Sequence, residues 1–125
     1  MTADSTTSAQ HAAQTHLATW NATNPDERRR LLDQHWTADV TYVDPLTAVS
    51  GREGVGTAAA GAQEQFPSFA FSLVGEVDAH HDQLRFQWGL GPAGAEPVVI
   101  GFDVLVPDQL GRIKDVRGFL DRVPA

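Results

Sequence analysis

Val98-Val99-Ile100-Gly101-Phe102-Asp103-Val104-Leu105-Val106 is a run that alternates as a strand yet is apolar on both faces, with one charge in its middle. Strands with two apolar faces are covered on both sides. A carboxylate inside such a strand is costly unless it is paired, hydrogen-bonded or held neutral, so Asp103 is a candidate for chemistry. Three further runs share the alternating pattern: Phe69/Phe71/Leu73, Leu84/Phe86/Trp88/Leu90 and Ile113 to Val123. Turn-prone His80-His81-Asp82, Gly91-Pro92-Ala93-Gly94 and Pro107-Asp108-Gln109-Leu110-Gly111 separate them, which predicts four strands joined by hairpins.

The half of the chain before these strands has helical periodicity. Ala9, Ala13, His16, Leu17 and Trp20 form one stripe, with His16 in its centre. Asn24-Pro25-Asp26-Glu27 reads as a helix start, with Asn24 as N-cap and Glu27 placed for a capping box. Leu31, Leu32, His35 and Trp36 would give this second helix its buried side. Val40 to Asp44 is a short strand closed by Pro45. A third helix runs from about Arg52, with Val55, Ala59, Ala62 and Phe66 on one face and Pro67 stopping it. The fold expected is α+β, three helices packed on a curved, mostly antiparallel sheet.

With 125 residues the chain has room for one domain, expected over residues 8–125 behind a disordered tail at 1–7. Nine Lys+Arg against sixteen Asp+Glu argue against nucleic acid and anionic membranes as partners. Arg28-Arg29-Arg30 reads as a solvated helix face. No cysteine is present, which removes disulfides, thiolate metal sites and cysteine nucleophiles. Met1 to Ser8 lacks the charged and apolar regions of a signal peptide, and no apolar run approaches the roughly 20 residues of a membrane span; a cytoplasmic location is expected. His80-His81-Asp82 reads as a turn, no metal site is proposed, and Gly51, Gly54 and Gly56 do not follow a strand in a phosphate-binding arrangement.

In order and in key residues the chain resembles the nuclear-transport-factor-2-like superfamily of cone-shaped α+β barrels, and within it the SnoaL-like polyketide cyclases and the ketosteroid isomerases. The resemblance spans about His11 to Leu120. In the isomerases a first-strand Asp-Pro carries the catalytic base, matched by Asp44-Pro45, and a later-strand Ile-Asp carries a protonated acid, matched in position by Phe102-Asp103. Ketosteroid isomerase is the standard example of a carboxylic acid kept neutral by an apolar site. The isomerase tyrosine on the first helix is replaced here by His16, and Ala58, Ala59 and Ala60 stand where that family has aromatic residues, which implies a roomier pocket and another electrophile.

The resemblance implies a cofactor-independent proton transfer next to the carbonyl of a small, apolar ligand, ending as isomerisation or ring closure. Asp44 would be the base, and Asp103 with His16 would steady the developing oxyanion. Read from its residues alone, Asp44 serves equally as a turn-initiating aspartate before Pro45. Tyr42, Trp20, Ala59, Phe86, Trp88 and Val116 are the expected substrate-binding residues. The alternative is a ligand-binding or scaffold domain without turnover. An epoxide hydrolase of the limonene type would need an Asp-Arg-Asp set, for which Arg85 and Arg117 are the strand arginines in range. The two-sided apolar strand at Val98 to Val106 predicts a homodimer through the outer face of the sheet.

Overall fold

A computed structural model describes the backbone of residues 2–124 and the side chains of residues 8–124. The disordered tail expected over residues 1–7 falls on positions whose side chains lie outside the described residues. The order is α1 (Thr2–Asn21), α2 (Pro25–His35), β1 (Trp36–Val43), β2 (Ala48–Ser50), α3 (Gly51–Gln65), β3 (Phe69–His80), β4 (Gln83–Pro92), β5 (Val99–Pro107) and β6 (Ile113–Arg122). The six strands form one sheet in the order β2-β1-β6-β5-β4-β3. Neighbours are antiparallel except β1 and β6, which run parallel. The expected α+β architecture is therefore present, with β2 as an added edge strand and the sheet not closed into a ring.

The helical stripe packs as the periodicity requires: Ala9, Ala13, His16, Leu17 and Trp20 are all buried. At α2 the Asn24 side chain accepts hydrogen bonds from Asp26 N and Glu27 N, and Pro25 is the first helical residue. The Glu27 side chain turns to Arg30 instead of closing a capping box. Trp36 is not a helical residue. It opens β1 fully buried and donates its indole N–H to Thr19 Oγ1, 3.0 Å away, a partner that α1 presents from 17 residues earlier.

Arg28 departs from the solvated face expected for the arginine run. It is buried, and its guanidinium donates to Ala22 O (2.9 Å) and Gln63 Oε1 (3.2 Å). Gln63 in turn donates to Trp20 O and Ala22 O, both at 2.7 Å. The carbonyls left open at the end of α1 thus find donors on α2 and α3, and the turn of α1 carrying Trp20 is fixed to both neighbouring helices.

β5 alternates cleanly. Val99, Gly101, Asp103 and Leu105 are buried on the face toward the helices, while Ile100, Phe102 and Val104 are half-buried on the other. On that outer face Phe102 stacks on Phe119 of β6, ring centroids 5.1 Å apart. The sheet bends where β3 shifts register against β4 between Val74 and Asp78, around Gly75 at φ +73°; a bulge of this kind increases local twist.

Candidate active site

Strand register brings four residues to one place on the concave face. Across β4, β5 and β6, Phe86 pairs with Asp103 and Asp103 pairs with Gly118. Tyr42 on β1 lies opposite Val116 on β6, so Asp44, just past the end of β1, comes beside Gly118. A side chain at Gly118 would begin 3.3 Å from Asp44 Cβ and 2.5 Å from Asp103 Oδ1. Asp103 and Asp44 therefore flank a glycine whose missing Cβ leaves room for the Asp103 carboxylate.

Above this row stands α1. His16 Nε2 lies 2.7 Å from Asp103 Oδ2, and both side chains are 3% exposed. The other ring nitrogen, Nδ1, is sealed from solvent and has no hydrogen-bond partner. A proton on Nδ1 would be a buried donor with no acceptor, which costs about 1–3 kcal/mol and more for a charged ring. The network therefore assigns the neutral tautomer with its proton on Nε2, donated to Asp103. Asp103, without a partner among its neighbours in sequence, receives one from a helix 87 residues away.

Asp103 Oδ1 is in a different situation. It has no hydrogen-bond partner among the described residues, and it is not one of the sealed unpartnered atoms, which are His16 Nδ1, Trp20 Nε1, Arg28 Nε and Thr37 Oγ1. Asp103 lines a cavity of about 240 Å³, so Oδ1 is the corner of its carboxylate that a ligand can reach. His16, Trp20, Tyr42 and Asp44 line the same cavity. Its further walls come from Leu17 on α1, Ala62 and Phe66 at the end of α3, Phe71, Trp88 and Leu90 on β3 and β4, and Val99 and Leu120 on β5 and β6. Leu46, 80% exposed, and Val123, 55% exposed, stand at the mouth.

Asp44 is more heavily engaged than a free base. Its Oδ1 accepts from Leu46 N (2.8 Å) and Thr47 N (2.9 Å), and its Oδ2 accepts from the Tyr42 hydroxyl (2.7 Å). Asp44 N donates to Thr47 O, which closes the turn into β2. The aspartate thus organises the turn and orients Tyr42 together. Burial, then the Asp103 and Asp44 charges and the hydrogen bond to Asp44, push the Tyr42 phenol well above its ordinary value of 10.0. Raising a folded-state pKa in this way contributes stability that is complete below about pH 10 and lost as pH rises beyond it. Tyr42 is the only tyrosine, so its phenolate absorbance is expected to appear only as the protein unfolds in alkali, and Tyr42→Phe to resist alkaline melting better than wild type. Phenolate absorbance near pH 10 in still-folded protein would contradict this.

Three expected binding residues lie elsewhere. Ala59, Phe86 and Val116 are sealed in the core and do not line the cavity. Phe86 is behind His16, edge to ring at 5.7 Å; Val116 is packed below Tyr42 and Leu105. Phe86 and Val116 have the right parity and stand beside Asp103 and Tyr42, but the cavity extends the other way along the strands, toward Trp88, Leu90 and Leu120, and parity cannot tell position along a strand. His16 was expected to offer a nitrogen to the ligand; Nε2 is instead spent on Asp103. The mouth residues Leu46 and Pro124 had no signal in periodicity, since they lie outside regular elements, and Val123, expected as the last strand residue, falls just past the end of β6. Arg85 and Arg117 are exposed, and Arg117 pairs with Asp115, so neither joins the carboxylates as the epoxide-hydrolase reading requires. Among the described residues no group of three or more His, Asp or Glu side chains could hold a metal ion, and no helix is long and apolar enough to cross a membrane.

No family model matches the chain, and no curated protein does. Solved structures do. A protein of Agrobacterium tumefaciens strain C58, named as a candidate isomerase of the SnoaL-like family, is 38% identical over 92% of this chain and 98% of its own, with a TM-score of 0.87. A candidate SnoaL-like polyketide cyclase of Jannaschia is 19% identical, with 90% and 87% of the two chains covered and a TM-score of 0.67. A de novo designed protein with a curved β-sheet reaches 0.68 at 12% identity, covering 91% and 85%, so shape at that level carries no function. The identity and near-complete coverage of the Agrobacterium protein, together with the helix order and the sheet described above, show that this chain belongs to the SnoaL-like family, on the nuclear-transport-factor-2-like fold.

Proposed function

We propose that the chain catalyses a cofactor-independent proton transfer next to the carbonyl of a small, largely apolar molecule, as an isomerase or cyclase does. One observation carries the reading: Asp103 lines the cavity and is anchored at Oδ2 by His16, while Oδ1 has no hydrogen-bond partner among the described residues. A carboxylate held on one side and open on the other takes a proton from a substrate carbon and returns it, within ~3 Å of the reacting atom. Asp103 then replaces Asp44 as the proton carrier. His16 is a positioning residue that acts through Asp103, and Asp44 holds the Tyr42 hydroxyl and the mouth turn in place. The Tyr42 hydroxyl spends its one proton on Asp44, so it can meet the developing oxyanion only by releasing that bond.

Deuterium exchange at the α-carbon of enolisable ketones, followed by NMR in D₂O, tests this. Asp103→Asn is expected to lower the exchange rate at least 100-fold and Asp44→Asn to lower it less. Full exchange by Asp103→Asn, or a greater loss in Asp44→Asn, overturns the assignment; binding without any exchange favours the ligand-binding alternative. The same proposal includes a cytoplasmic location and a homodimer through the outer face of the sheet, where Phe102 stacks on a Phe119 that is 54% exposed. Light scattering at micromolar concentration reads the second.

A further inference from the structure

We infer that the ligand is a neutral, one-ring-sized ketone of roughly ten non-hydrogen atoms, scaling from a 150 Å³ cavity that holds benzene, and that Trp88, seated on Gly101, sets this limit. The carbonyl rests on the proton-transfer reading; the size and charge rest on geometry alone. The alanines of α3 suggested a roomy pocket, but the cavity is only about 240 Å³, below the 300–1,000 Å³ of sites for drug-sized ligands. A four-ring skeleton would have to project out through the mouth at Leu46 and Val123.

The space is taken by aromatic rings from the sheet. A Cβ on Gly101 would lie 2.8 Å from Trp88 Cε2 and 2.7 Å from Phe119 O, so the indole rests on bare backbone. Phe71 meets Trp88 edge to face at 5.4 Å, and Trp20 meets Phe71 likewise at 5.8 Å. The three rings brace one another, so Trp88 cannot swing aside for a larger ligand without disturbing both partners. Charge narrows the choice further. None of the described residues lining the cavity is Lys or Arg, while Asp44 and Asp103 are both present. An anion placed there would have two carboxylates for neighbours and no counter-charge, which disfavours it strongly at low dielectric.

Calorimetric titration of the whole chain tests the limit with three probes: propiophenone, a one-ring ketone; androstenedione, a four-ring ketone; and 3-phenylpropionate, an anion of one-ring size. Wild type is expected to bind propiophenone at least tenfold more tightly than either other probe. Trp88→Ala is expected to shift the propiophenone-to-androstenedione preference at least tenfold toward the larger ketone, and Trp88→Phe to shift it in the same direction by less, which keeps the test open if the alanine variant does not fold. Equal affinity of wild type for the two ketones, binding of neither, tight binding of the anion, or an unchanged preference in folded Trp88→Phe overturns the inference. The exchange assay separates the two readings: propiophenone bound without α-proton exchange sinks the proton transfer and leaves the size limit standing, whereas exchange on androstenedione does the reverse.

Discussion

His16→Phe is expected to cost about 3 kcal/mol at neutral pH, because it keeps an aromatic ring in the core but removes the one donor that the described residues give the Asp103 carboxylate, and breaking a buried hydrogen-bonded pair leaves the surviving partner's desolvation uncompensated. Both side chains are 3% exposed, so solvent screening does not soften the loss. The double variant His16→Phe with Asp103→Leu should recover most of the stability, since a buried polar pair exchanged for apolar groups of like size is often neutral or better. Urea denaturation of the three proteins at neutral pH measures both. A single-variant loss below about 1 kcal/mol, or a double variant no more stable than His16→Phe, would show that the pair is not the anchor described here.

Gly118→Ala is expected to leave a folded protein and remove its activity. The added methyl would lie 2.5 Å from Asp103 Oδ1, closer than the two can stand, so the carboxylate must rotate or the strands must part. Gly118 is not at positive φ, so backbone strain plays no part and the effect is one of space. Overpacking of this kind costs about 1–3 kcal/mol, whereas a displacement of about 1 Å at the reacting group can cost 100-fold in rate. The α-proton exchange rate should therefore fall about 100-fold while the circular dichroism spectrum stays native. Gly61→Ala is the control: a Cβ there meets nothing within 4 Å, and it should keep full exchange with a slightly higher melting temperature, since alanine is the better helix former. Native exchange rates in Gly118→Ala would remove Asp103 from the mechanism.

Much of this molecule is legible one segment at a time. The stripe from Ala9 to Trp20, the cap at Asn24-Pro25 and the alternation from Val98 to Val106 each reflect a local period and a local cost, and each element formed where those costs predict. Asp103 stood out for the same reason: a lone charge in an apolar strand is costly wherever that strand goes. The errors are equally local. Trp36 has the spacing of a helix face, yet one residue past His35 the chain turns extended, because Thr19 and the core reward the indole there. Arg28 looks like any surface arginine until the end of α1 is brought beside it.

The sequence by itself therefore determined the three helices and five of the six strands, their order, most inward faces and the two carboxylates worth watching. Tertiary structure alone decided that His16 meets Asp103, that Asp44 is committed to Tyr42 and a turn, that Gly118 leaves room for the Asp103 carboxylate, and that Trp88 rather than Ala59 shapes the cavity. The physical reason is the placing of β6 between β1 and β5. That parallel pairing brings the first and last strands together, and it follows from how the whole sheet bends over the helices to bury their common core. Periodicity records which side of its own element a residue faces; it holds no information about which distant strand lies alongside.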